Sequence, residues 1–186
     1  PGCCGALALH AGEADDARDY ARRLIETFER AAVDVVAINA AGCGSAMKEY
    51  GHLLKDDAAW AARAAAFASK VRDVSEVLAE LGPPRSPRHP VTATVAYHDA
   101  CHLAHAQGVR KQPRDLLAGI PGLTIVPVAE PDVCCGSAGI FNLTGPVRAA
   151  DSPLTMAAFL DIARAALGAA APASGLPLPR PSPMVI

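Results

Sequence analysis

Aromatic residues are scarce in this chain, 4% of 186 positions with a single tryptophan, and charged residues reach only 19%. The core must therefore be filled by small aliphatic side chains. A hydrophobic fraction of 51%, much of it alanine, is ample for one and predicts helix-rich packing. The length suits one domain or one compact piece of a larger protein. A net charge of -2 gives no electrostatic attraction to nucleic acid or to an anionic membrane surface. No apolar run of roughly 18 residues is present, so no segment reads as a membrane span. A basic start followed by an apolar stretch is also missing, so no export signal is read. Instead of methionine, the chain opens on Pro1-Gly2-Cys3, inside a motif, which predicts an N-terminal truncation. There is no Cys-x-x-Cys motif, phosphate loop, dinucleotide fingerprint or Ser/His/Asp arrangement, so those chemistries have no support.

What the chain does have is cysteine in an unusual pattern. Cys3-Cys4-Gly5 and Cys134-Cys135-Gly136 are vicinal pairs followed by glycine, and Cys43 and Cys101 lie in short segments flanked by glycine or histidine. Vicinal cysteines rarely bond to each other because the ring they close is strained, so both thiolates are read as converging on one acceptor. Disulfides are disfavoured by the missing export signal and by the α/β periodicity; reduced, ligand-type cysteines in a cytosol are expected.

The stretch 15–32 reads as an amphipathic helix, with Tyr20, Leu24, Phe28 and Ala31 on its apolar face. Val33 to Asn39 is a β-branched run, a buried strand ending in a loop at Ala41-Gly42-Cys43-Gly44-Ser45, with a helix following to about Leu54. Trp60, Ala64, Phe67, Val71, Val74, Leu78 and Leu81 form a seam at helical spacing, which predicts one helix over 57–81. That seam packs a core within the subunit or, as the alternative, meets a partner subunit. Gly82-Pro83-Pro84 stops it, and a Pro-rich connector runs to Pro90 on the surface. Val91 to Tyr97 reads as a strand, Leu103 to Val109 as helical and Leu123 to Val128 as a strand. Strands alternating with helices predict an α/β fold, with mostly parallel strands flanked by helices. The cysteine loops then lie at the strand carboxyl ends, where sites gather in such sheets. Pro1 to Ala8 and Asp132 to Gly139 are similar, which points to a duplicated domain. Residues 168–186 have almost no charge and many Pro, Ala and Gly, a composition expected of disorder or of out-of-frame translation of GC-rich DNA.

Thiolates arriving from several segments suit an iron–sulfur cluster. Gly5 and Gly136 beside the pairs let backbone approach it, with N–H groups free to bond its sulfurs. Helix starts after the cysteines should lower their thiol pKa values. Zinc is the competing acceptor, since His98, His102 and His105 surround Cys101. His102, next to Cys101, is the histidine expected to support the site, while His10, His52 and His89 read as surface or loop residues.

These segments resemble the CCG, or cysteine-rich, domain family, shared by heterodisulfide reductases and a group of iron–sulfur oxidoreductase subunits. The similarity is greatest to the glycolate oxidase iron–sulfur subunits. It is carried by Pro1 to Leu7, by Asn39 to Gly51, by Tyr97 to His105 and by Cys134 to Leu143. The resemblance implies a duplicated CCG fold: a first half at 1–81, the connector at 82–90, a second half at 91–167 and the tail at 168–186. It implies cluster ligation, of [4Fe-4S] type, by Cys3, Cys4 and Cys43 in the first copy and by Cys101, Cys134 and Cys135 in the second. One cysteine of the family pattern is missing from each copy. The implied activity is electron transfer in a glycolate-oxidising complex, from an FAD-bearing partner subunit toward the quinone pool. A cytoplasmic place follows, with attachment at the inner membrane only through that complex. The alternatives are a zinc-binding CCG interaction module and a subunit of a lactate- or heterodisulfide-type oxidoreductase.

Overall fold

A computed structural model describes residues 2–128 of the chain. Cys134, Cys135, Gly136, the remainder of the expected second half and the 168–186 tail lie outside the described residues. The fold is mixed α/β. Helices α1 (Ala6–His10) and α2 (Ala14–Ala31) lead into strand β1 (Val36–Ile38). Helices α3 (Ala41–Lys48), α4 (Tyr50–Leu53) and α5 (Ala61–Ala68) then precede strand β2 (Val71–Asp73) and helix α6 (Val74–Glu80). Strand β3 (Ala93–Ala96), a π-helix (His102–Ala106), helix α7 (Lys111–Ala118) and strand β4 (Leu123–Val126) follow.

The strands form two parallel pairs. β1 runs beside β2, with Val36 opposite Val71 and Ile38 opposite Asp73, and β3 runs beside β4, with Ala93 opposite Leu123. Parallel neighbours need a crossover, and each pair is joined through helices: α3 to α5 in the first case, the π-helix and α7 in the second. The parallel α/β expectation holds. Among the described residues no helix is long and apolar enough to cross a membrane.

Helix α2 carries its acidic residues Asp15 and Asp16 in the first turn and Arg30 in the last, an orientation that suits the helix dipole. Its buried stripe is Ala17, Ala21, Leu24 and Ile25, one helical face at i, i+4, i+7 and i+8. Phe28 packs on the edge of the core, whereas Tyr20, expected on the apolar face, remains 37% exposed. The core cluster of the described residues includes Leu24, Ile25, Val36, Tyr50, Phe67 and Val71 together with Cys4, so the second cysteine of the first pair is anchored in the core.

Two expectations fail here for identifiable reasons. The seam over 57–81 is not one helix: it breaks after Ala68, forms β2 at Val71–Asp73, and restarts as α6. Val71 is fully buried opposite Val36, so sheet pairing outweighs the helical spacing at that point. The restart is dictated locally. Asp73 accepts the Ser75 N–H at 2.8 Å, and Glu76 accepts the Asp73 N–H at 2.7 Å, a reciprocal capping box. The Asp73-Val74-Ser75-Glu76 spacing was visible in the sequence. Beyond the break, Val74, Leu78 and Leu81 are exposed, so only the first part of the seam packs the core.

The second correction concerns Cys43. The stretch Ala41 to Ser45 is not a loop, because α3 begins at Ala41 and Cys43 occupies its first turn.

Candidate metal centre

Cys3 and Cys4 precede α1, which starts immediately after Gly5. Gly5 has φ +78°, and a Cβ there would meet the Ala17 carbonyl oxygen at 3.1 Å and Tyr20 Cβ at 3.0 Å. Only glycine takes that left-handed conformation freely while the backbone lies this close to α2. The turn aims the Gly5 N–H at Cys3 Sγ, 3.4 Å away. An N–H donating to sulfur is the kind of bond that stabilises a ligating thiolate. Cys3 is exposed and Cys4 buried.

Cys43 reaches the same place from α3. The structure gathers it with Cys3 and Cys4 closely enough that all three influence one titration. The Cys4 thiol is pushed up from 9.0 to about 12, first by burial and then, against an opposing N–H from Ala6, by hydrogen bonding and charge from Cys43 and by the charge of Cys3. A lowered thiol pKa was expected from the helix starts; for Cys4, burial outweighs that influence. Cys3, Cys4 and Cys43 are free thiols.

Tyr50 closes the floor of this site. It is 1% exposed, its hydroxyl donates to the Cys4 carbonyl oxygen at 2.6 Å, and its ring stacks on Phe67 with centroids 5.5 Å apart. Burial first, then the charges of the three nearby cysteines, raise its hydroxyl pKa, so the proton needed for that bond is retained. Tyr50 lay within a recognised segment of the sequence without a role; the fold gives it one.

Cys101 lies after β3, in the position expected for a cysteine at a strand's carboxyl end, just before the π-helix. His102 Nδ1 is 3.6 Å from Cys101 Sγ, and its ring stacks on His10 at 5.8 Å between centroids. His10, read from sequence as an unpartnered surface residue, is exposed but has this partner in the second cysteine segment. The segment is held from behind by Asp99, whose buried carboxylate accepts two bonds from Arg114 of α7, at 2.5 and 2.7 Å. Arg114 also lies over the Tyr97 ring, 4.9 Å from its centroid. This clamp was not read from the sequence, because nothing local pairs residues 99 and 114.

Among the described residues no three His, Cys, Asp or Glu side chains are placed to hold a single metal ion. That holds for the zinc group drawn from Cys101, His98, His102 and His105 and equally for Cys3, Cys4 and Cys43. The first cysteine cluster has a different chemistry: thiols from two segments, with a backbone N–H already directed at the Cys3 sulfur. Thiol donors of this kind suit an iron–sulfur cluster in their chemistry, and would have to draw together to hold one. In the metal-free protein these thiols should differ sharply in reactivity. At pH 8, iodoacetamide should modify exposed Cys3 at least about tenfold faster than buried Cys4, since the thiolate is the nucleophile. Peptide mapping by mass spectrometry checks this; equal rates would contradict the burial and raised pKa of Cys4.

A parallel α/β frame with thiols on a vicinal Cys-Cys-Gly turn and on a following helix defines a cysteine-rich domain. The chain belongs to the CCG cysteine-rich domain family, whose pattern it matches over residues 1–48 and 95–163. It is 44% identical over 142 residues to the probable glycolate oxidase iron–sulfur subunit of Bacillus subtilis (strain 168), an overlap covering 76% of this chain and 32% of that protein. It is 32% identical over 144 residues to lactate utilization protein A of an Exiguobacterium species, covering 77% of this chain and 59% of that protein. Lactate utilization protein A of Bacillus licheniformis is also 32% identical, over 141 residues, covering 58% of its own length. The chain thus spans about a third to three fifths of these relatives. No solved structure matches it significantly.

Proposed function

We propose that this chain is the cysteine-rich part of an electron-transferring iron–sulfur subunit in a 2-hydroxy-acid oxidoreductase, with glycolate as the substrate of the complex. The observation that carries the reading is the match to the CCG cysteine-rich domain family over residues 1–48 and 95–163, with Cys3, Cys4 and Cys43 present as free thiols. Glycolate is favoured over lactate by the 44% identity to the glycolate oxidase relative, against 32% to the lactate utilization proteins.

When bound, an iron–sulfur cluster supplies one-electron transfer. The chain's own residues would do the rest. Cys3, Cys4 and Cys43 would provide thiolates for one site, and Cys101, Cys134 and Cys135 for a second. Gly5 and Gly136 would let backbone close in, and His102 would support Cys101. The Gly5 N–H at Cys3 Sγ would stabilise negative charge on sulfur. Residues 1–81 and 91–167 are the two halves of this arrangement in our reading, joined by the connector at 82–90. A cluster of [4Fe-4S] type, FAD-bearing partner subunits, quinone as eventual acceptor and a cytoplasmic location complete the proposal.

The test is to purify the protein anaerobically with its flavoprotein partners and add glycolate or lactate separately. Iron and acid-labile sulfide should be present, and glycolate should bleach the visible absorbance faster than lactate does. Faster bleaching by lactate would assign the complex to the lactate class. Colourless protein with stoichiometric zinc would overturn the electron-transfer reading.

A further inference from the structure

Gln107 joins the two cysteine segments. It caps the π-helix that begins at His102. Its N–H donates to the His102 carbonyl at 3.2 Å, and the next residue, Gly108, takes φ +70° so that Val109 can fold back and donate to the Leu103 carbonyl at 3.0 Å. Such a left-handed glycine closes a helical end. With the backbone held by this turn, the side chain crosses to α3, where Nε2 donates to the Ala41 carbonyl at 2.9 Å. Ala41 begins the helical turn that carries Cys43.

The approach is close because α3 has no side chain at the point of contact. A Cβ on Gly44 would come within 2.9 Å of Gln107 Nε2 and 3.2 Å of Oε1. Among the described residues, Gln107 Oε1 is the one buried side-chain polar atom without a hydrogen-bond partner. A buried acceptor left unpaired is costly, so the Nε2 bond to Ala41 is held at some expense. The His10–His102 stack is a further contact, between α1 and the π-helix.

We propose that Gln107 is a positioning residue that locks the Cys43 turn to the Cys101–His102 turn, so that these two segments are held as one unit. This deepens the iron–sulfur reading but can be tested without it, on the metal-free protein. Three variants break the lock differently. Gln107→Leu removes the donor, Gln107→Glu keeps the shape but sets a carboxylate against the Ala41 carbonyl, and Gly44→Ala displaces the amide.

Alkylation of Cys43, followed by mass spectrometry on the anaerobically prepared, metal-stripped full chain, should accelerate by about fivefold in each, the equivalent of one hydrogen bond in local opening. Cys4, buried under Tyr50 and hydrogen-bonded to Cys43, should accelerate less than Cys43 does. The Gly44→Ala/Gln107→Leu double variant should exceed neither single variant, because both remove the same contact. In the iron-loaded protein, Gln107→Glu should shift the reduction potential of the bound centre. The lock is overturned if Cys43 keeps its rate in Gln107→Glu, if Cys4 accelerates equally, or if the double variant multiplies the single effects. A chain that carries no cluster defeats the functional reading while leaving the alkylation result to decide the lock.

Discussion

Serine in place of Cys4 or Cys43 should lower bound iron on the order of tenfold in the anaerobically purified full chain, the scale on which metal sites respond to losing a well-placed group. A hydroxyl is a harder donor than a thiolate and a poor substitute for it at an iron–sulfur centre. Both replacements are nearly isosteric, so the fold should survive them: Cys4 is a core residue whose surroundings pack a sulfur-sized atom, and Cys43 is half-buried. Cys134→Ser and Cys135→Ser should likewise each lower iron if the second Cys-Cys-Gly segment holds its own site. Iron and sulfide assays with visible absorbance check these effects, with the exposed His52→Gln as a control. Unchanged iron and an unchanged spectrum in all four serine variants would reject the ligand assignments.

The second large effect concerns Tyr50, which joins the core to the site. Tyr50→Ala should destabilise the protein by about 3–5 kcal/mol, the usual cost of emptying a buried aromatic position. Tyr50→Phe isolates the hydroxyl. It keeps the stack on Phe67 but takes the 2.6 Å bond from the Cys4 carbonyl, and should cost about 1–3 kcal/mol because a buried acceptor loses its donor. Urea unfolding of the metal-free protein measures both. If Tyr50→Phe lies within about 0.5 kcal/mol of wild type, the level of an ordinary surface change, the bond does not hold the cysteine turn. If Tyr50→Phe also lowers iron, the bond positions Cys4 as well as stabilising the core.

Local patterns were read well where local rules act alone. The extent of α2, the position of β1 and the parallel β3 and β4 segments follow from periodicity and β-branching, although the buried face of α2 is Ala17, Ala21, Leu24 and Ile25 and not the expected Tyr20, Leu24, Phe28 and Ala31. The reading failed where a distant partner overrides the local signal. Val71 continues a helical seam in sequence, yet pairs with Val36, and only the Asp73–Glu76 capping box marked the break. Glycines around Cys43 suggested a loop, but packing against the π-helix and β2 favours a helix from Ala41 onward. Glycine is a poor helix former locally, and here it admits Gln107.

By itself the sequence determined which residue types can do chemistry here. Two Cys-Cys-Gly segments, with Cys43 and Cys101 between them, specify soft thiolate donors, and the missing motifs leave no strong rival. Only the tertiary structure decided how the described donors relate. It sank Cys4 into the core under Tyr50, left Cys3 exposed, brought Cys43 beside Cys4, and tied that turn to Cys101–His102 through Gln107. The reason is physical: a thiol's identity is covalent and local, whereas its burial, its proton affinity and its neighbours come from packing between segments far apart in the chain.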